Sequence, residues 1–200
     1  MKRTLCALLL ATLLPQLAPA AVDFTPRFTD FFMEGATLRR LYFADGDKKF
    51  LVSLNRETET VADAGGTLFR FTKVPSATFI VTRSRQVPTD LFEGASLDRY
   101  REAARRLLPV GTRGAVITEE TADVYPINNW KSFRITLSFT VGPVIYLQSV
   151  TFLNMNNSDQ AALITAAPEK DFNEAAHRSY QIFRTWQEML PGDEKIVGHN

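Results

Sequence analysis

The chain has 200 residues, 45% of them hydrophobic and 22% charged, with 23 Lys and Arg against 22 Asp and Glu and a single cysteine. That apolar content with so little charge imbalance belongs to a chain that buries a core, which excludes a disordered or collagen-like polymer, and one cysteine excludes a disulfide scaffold. No basic excess marks a face for nucleic acid, so none is expected as a partner.

The first twenty residues read as an export signal. Lys2 and Arg3 are followed by an apolar run over 5–14 and by the small residues Ala18-Pro19-Ala20, the pattern of a leader cleaved after Ala20. A spanning helix needs about 20 apolar residues, so no membrane span is expected after cleavage. The expected destination is the periplasm or the exterior, and the mature chain loses its only thiol with Cys6. No repeat or linker divides the remainder, which reads as one domain: an N-terminal arm and hairpin over 21–66, an α+β sandwich over 67–190 and a tail over 191–200.

Residues 22–36 mix Phe24, Phe28, Phe31 and Phe32 with Pro26 and Gly35, which suggests an arm or short helix held down by its aromatics. Segments 38–43 and 50–54 flank Ala44-Asp45-Gly46-Asp47 and predict a hairpin. Two further strands are expected over 68–74 and 77–84. Helical spacing begins at Ser96, the expected cap, with Leu97, Tyr100, Ala104, Leu107 and Leu108 on one stripe until Pro109 and Gly111 stop it. The opposite face carries Arg99, Arg101, Glu102, Arg105 and Arg106. Solvated charge is the ordinary role of such a face, and an anion-binding patch of Arg99, Arg101, Arg105 and Arg106, extended by Arg83, Arg85 and Arg113, is the functional one.

Phe133, Ile135, Leu137, Phe139 and Val141 alternate with Arg134, Thr136, Ser138 and Thr140, the period of an antiparallel strand with one buried face. Returning segments at 145–153 and 161–165 follow after connections too short for parallel crossovers, so the three predict a meander. Asp171 and Glu174 then match a capping box. A helix is expected from there to Leu190, with Phe172, Ala176, Ser179, Phe183, Trp186 and Leu190 covering a sheet face.

This element order resembles the PsbP-like fold, shared by an extrinsic photosystem II subunit, a Ran-binding import factor and DcrB-like exported bacterial proteins. The likeness covers roughly 67–190 and rests on Tyr146-Leu147-Gln148-Ser149-Val150-Thr151-Phe152, the polar loop after it and the final helix through Ile182-Phe183-Arg184-Thr185-Trp186. It implies an antiparallel sheet sandwiched by helices (α/β/α), an accessory or binding role, and no ligand or catalytic residue that carries over position by position. Residues 22–66 have no counterpart in it.

Chemistry-bearing residues are sparse. His177 and His199 have no clustered partner, no cysteine remains for thiol catalysis or a metal site, and no Gly-x-Ser-x-Gly elbow, Walker loop or dinucleotide fingerprint occurs. Neither a metal nor a cofactor is expected. Glu119, Glu120 and Asp123 are read as surface charges. Asn156-Asn157-Ser158 fits a glycosylation acceptor. The loop at 125–130 joins Tyr125 and Trp130 to Asn128 and Asn129, a combination enriched at binding surfaces, although a tryptophan at a strand entrance more often anchors a core. The expectation is an exported, non-catalytic binding or accessory protein acting through Tyr125, Asn128, Asn129 and Trp130 on an unknown protein. The alternatives are a hydrolase with a spatially assembled Ser or carboxylate site, and a carrier of a small apolar ligand suggested by fifteen phenylalanines.

Overall fold

The computed structural model describes residues 22–33, 36–46, 48–86, 88, 92–123, 128–155 and 159–189. The expected leader and tail lie outside them, as do Tyr125, His199 and the Asn156-Asn157-Ser158 sequon. Eleven strands and two helices occur among the described residues: β1 (Asp23–Met33), β2 (Ala36–Asp45), β3 (Lys48–Val52), β4 (Thr58–Asp63), β5 (Gly66–Phe71), β6 (Val74–Arg83), α1 (Ala95–Arg106), β7 (Arg113–Ala122), β8 (Ser132–Val141), β9 (Val144–Asn154), β10 (Gln160–Pro168), α2 (Glu169–Phe183) and β11 (Gln187–Glu188).

Seven strands form one antiparallel sheet in the order β4-β5-β6-β10-β9-β8-β7. Because side chains alternate across a strand, its two faces carry separate cores. Phe69, Phe79, Val81, Ala161 and Leu163 point to one face, where Phe172, Ala175, Ile182 and Phe183 of α2 cover them. Phe133, Ile135, Leu137, Val150, Phe152 and Ile164 point to the other, beneath Tyr100 and Ala104 of α1. The fold is therefore α+β with a helix on each sheet face, as expected, and β8, β9 and β10 form the expected meander.

A second antiparallel sheet, β1-β2-β3-β11, packs beside α2. Its Phe24, Phe43, Phe50 and Val52 join the α2-side core, and the buried Thr67 hydroxyl donates to the Phe24 carbonyl at 2.7 Å, fastening β1 to β5. The expected arm or short helix at the start is thus a correction: the chain forms β1, paired along β2, and Pro26 falls where the register shifts between Asp23 and Arg27. An edge strand tolerates proline at such an irregularity because no ladder hydrogen bond is lost there.

Besides β1 and β11, two more strands are not expected from the sequence. β4 and β7 are the outer strands of the large sheet and are mostly exposed, so they lack the apolar alternation that identifies a half-buried strand. The large sheet accordingly begins at Thr58, ahead of the boundary drawn at 67.

Both helix caps also differ. α1 is preceded by Gly94, at φ 53°, and the Ser96 hydroxyl instead donates to the Glu93 carbonyl at 2.7 Å and accepts from the Glu93 N–H. α2 starts after Pro168 without a side-chain cap, and Asp171 accepts a hydrogen bond from the Ser76 hydroxyl at 2.8 Å. The last helix ends at Phe183, short of the expected Leu190. The Thr185 hydroxyl donates to the Ile182 carbonyl at 2.6 Å and accepts the Ser53 N–H, which turns the chain so that Trp186 enters the core and β11 pairs with β3.

Candidate functional site

Strand register places six residues in a row across the α1 side of the large sheet: Val61, Leu68, Ile80, Ile164, Val150 and Ile135, on β4, β5, β6, β10, β9 and β8. Val150 and Ile135 are completely buried and Ile164 nearly so, whereas Ile80 and Leu68 are half-buried and Val61 is exposed. α1 lies over the β8–β10 half and leaves the apolar row open where it crosses β6 and β5. A row that continues apolar past its covering helix leaves aliphatic surface unburied, at a cost of about 25 cal/mol per Å².

A groove of about 610 Å³ occupies this position. Ile80, Ile164 and Phe152 give it an apolar floor, with Thr78, Ala166 and Gln148 at one end and Thr82 and Ala162 towards the other. Ala103, Leu107 and Pro109 form the wall on the α1 side. Gln148 fixes that wall by donating from Nε2 to the Leu107 carbonyl at 3.3 Å, joining the end of the helix to β9. Asp63 and Gly66 form the opposite lip, and the segment after β6 brings Arg83, Ser84, Arg85 and Gln86 to the mouth. Gly66 is required there, since a Cβ at this position would collide with the Val81 carbonyl.

The ionisable groups among the described lining residues are Asp63, Arg83, Arg85 and Arg106. Arg83 pairs with the buried carboxylate of Asp159 at 3.0 Å, and Arg106 pairs with Glu102 at 3.1 Å on an exposed helix face. Arg85 is exposed and makes no ion pair or hydrogen bond with any described residue. The hydroxyls of Thr78, Thr82 and Ser84 have no described histidine beside them: His177 is exposed on α2, across the sheet, within 3.3 Å of Gln181. Such a lining suits holding an amphipathic molecule.

The arginines of the expected anion patch have different surroundings. Arg101 is held by Glu120 through two hydrogen bonds of 2.6 and 2.7 Å and by Asp98 at 3.0 Å, which raises its pKa and holds the Glu120 carboxyl below its usual range. Arg99 and Arg105 are exposed, and Arg106, with Arg83 and Arg85 of the proposed extension, lines the groove. Arg113 opens β7 elsewhere. Glu119 and Asp123 pair with Arg134 and Lys131, not with each other.

In the aromatic loop, Asn128 and Asn129 are exposed in left-handed conformations, φ 50° and 58°, which asparagine adopts more readily than most residues. Trp130 turns inward against Phe50 and Trp186, and Asn128 donates to the Trp186 carbonyl at 3.4 Å.

The groove residues of β6 and β10 were not singled out from the sequence. One signal was available: 161–164 reads Ala-Ala-Leu-Ile, apolar on both faces, so the strand has to be covered on both sides.

Among the described residues, no cluster of three His, Cys, Asp or Glu side chains could hold a metal ion, and no helix is long and apolar enough to cross a membrane. No protein-family model and no characterised protein sequence matches the chain. Solved structures do. The chain is similar to LpqN of Mycobacterium tuberculosis, described as involved in cell envelope biogenesis, with a TM-score of 0.51 at 8% identity over 82% of this chain and 92% of LpqN. It also resembles the cyanobacterial PsbP of Synechocystis, with a TM-score of 0.46 at 13% identity over 87% and 96% of the two chains. The protein PA94 of Pseudomonas aeruginosa, of unknown function, gives 0.42 at 12% identity over 82% and 97%. At these identities the likeness concerns the fold alone, and it is the PsbP-like fold anticipated from the element order.

Proposed function

We propose that this chain is an exported, non-catalytic binding protein whose site is the groove between α1 and the open half of the large sheet. The observation that carries the reading is the apolar pair Ile80–Ile164, which lies where the row leaves the cover of α1 and floors a cavity of small-ligand size with polar groups gathered at its mouth. The leader-like start supports export, and a fold in common with a mycobacterial protein involved in cell envelope biogenesis agrees with it. The groove takes precedence over the loop around Trp130 because the Trp130 ring is spent on core packing.

Native mass spectrometry of the chain purified from its own exported compartment tests this reading. A bound small molecule lost on Ala166→Trp, which fills the floor, is expected. Retention of the same mass by a folded Ala166→Trp variant places the ligand elsewhere and removes the groove from consideration.

A further inference from the structure

We infer that the groove selects a single-chain amphiphile with a singly charged anionic head, seated at Arg85 with its tail along Ile80 and Ile164. This deepens the groove reading and rests on it.

The floor supplies the tail site. From Thr78 to Thr82 it runs four residues along β6, about 13 Å at the rise of an extended strand. Over that length the groove-facing positions of β6 and β10 are Thr78, Ile80 and Thr82 beside Ala166, Ile164 and Ala162. Isoleucine at the centre with alanine and threonine on each side makes a shallow trough. It is matched by an unbranched chain better than by a fused ring system, which needs a wider pocket.

The mouth supplies the head site, and charge decides its sign. Three arginines and one aspartate line the groove. Asp159 holds Arg83 in place and Glu102 occupies Arg106, whereas Arg85 has no such partner among the described residues. Next to it, the Ser84 hydroxyl accepts the Gln86 N–H at 3.1 Å, which leaves its own proton to be donated to a bound anion. One guanidinium unpaired among the described residues, with a neighbouring hydroxyl donor, favours a carboxylate-sized monoanion. Asp63, on the lip at the same end of the sheet, opposes a second negative charge there.

Displacement of N-phenyl-1-naphthylamine from the full chain tests the assignment, with dodecanoate and dodecyltrimethylammonium as competitors of equal tail length. Dodecanoate is expected to displace the dye at a concentration at least about tenfold lower, and Arg85→Glu to abolish that preference while the dye still binds. Equal displacement by the two amphiphiles, or a preference untouched by Arg85→Glu, overturns the anion assignment and leaves the groove standing. Failure of the dye to bind, or equal binding by Ala166→Trp and by Val144→Trp, which is exposed at the start of β9 and outside the groove, overturns the groove itself. Circular dichroism on each variant ensures that a folded protein is being compared.

Discussion

Trp130 stands edge-on to Trp186, their ring centroids 5.9 Å apart and their planes at 89°, so the loop before β8 is fastened to the segment that follows α2. Trp186 is the hub of the group. Phe24, Phe43, Phe50 and Phe183 also meet it, with centroids 5.2 to 6.3 Å away, and through them the small sheet, α2 and the large sheet share one packed centre. Its indole Nε1 has no hydrogen-bond partner among the described residues, so its contribution comes from packing and apolar burial.

Replacing Trp186 by alanine is expected to cost about 3 to 5 kcal/mol, and replacing the half-buried Trp130 about 2 kcal/mol, read from urea midpoints. The double variant should cost less than the two together, because each ring loses a contact the other has already removed. An unchanged midpoint for Trp130→Ala assigns that ring to a surface role instead.

Arg178 joins α2 to the loop before β4, donating to Glu174 at 2.7 Å and to Glu57 at 2.9 Å. Its side chain is only 14% exposed, which limits screening by solvent. Arg178→Ala is expected to destabilise by about 1 kcal/mol. A double-mutant cycle with Glu57→Gln should show positive coupling, and zero coupling reduces the bridge to a contact without energetic weight.

Several carboxylates fix the response to acid. Hydrogen bonds from Lys73 and Arg178 hold Glu57 below its ordinary range, as Arg134 does for Glu119 and Arg101 for Glu120. A carboxylate whose folded pKa lies below its unfolded value stabilises fully above the unfolded value of 4.5 and loses that contribution as pH falls through the folded one. The urea midpoint should therefore hold near neutrality and decline below about pH 4.5, with a shallower decline in Glu120→Gln.

Asp45 carries the opposite sign. Burial pushes its carboxyl up, aided by the negative charge of Asp159. With the folded pKa raised, ionisation begins to oppose folding as the pH rises above the unfolded value of 3.8, and the cost is complete once the pH exceeds the folded one. Asp45→Asn should raise the melting temperature at pH 7 and leave it unchanged in acid; a lower melting temperature at pH 7 refutes this.

Gly66→Ala should cost about 1 to 3 kcal/mol, since the added Cβ meets the rigid Val81 carbonyl and forces β5 away from β6. Gly142→Ala, in the open β8–β9 turn at φ 59°, should cost about 1 to 2 kcal/mol through backbone strain alone. The two separate further in dye binding: only the Gly66 change lies on the groove lip, and an equal effect on binding argues against the site.

The sequence by itself determined the elements whose two sides meet different media. β8 alternates between phenylalanine or isoleucine and hydroxyl or charged residues because one face is in the core, and α1 carries Tyr100 and Ala104 opposite its arginines for the same reason. β4 and β7 escaped that reading because both of their faces are largely wet, and β1 because its proline reads as a break until an edge position is known. The groove was decided only by the tertiary structure. Ile80 and Ile164 are 84 positions apart in the chain and become neighbours through the β6–β10 pairing, and how far α1 reaches across that pair is set by the packing of Tyr100 on Phe133 and Phe152. Periodicity records which side of a strand faces an apolar medium; it carries no information about where a covering helix ends.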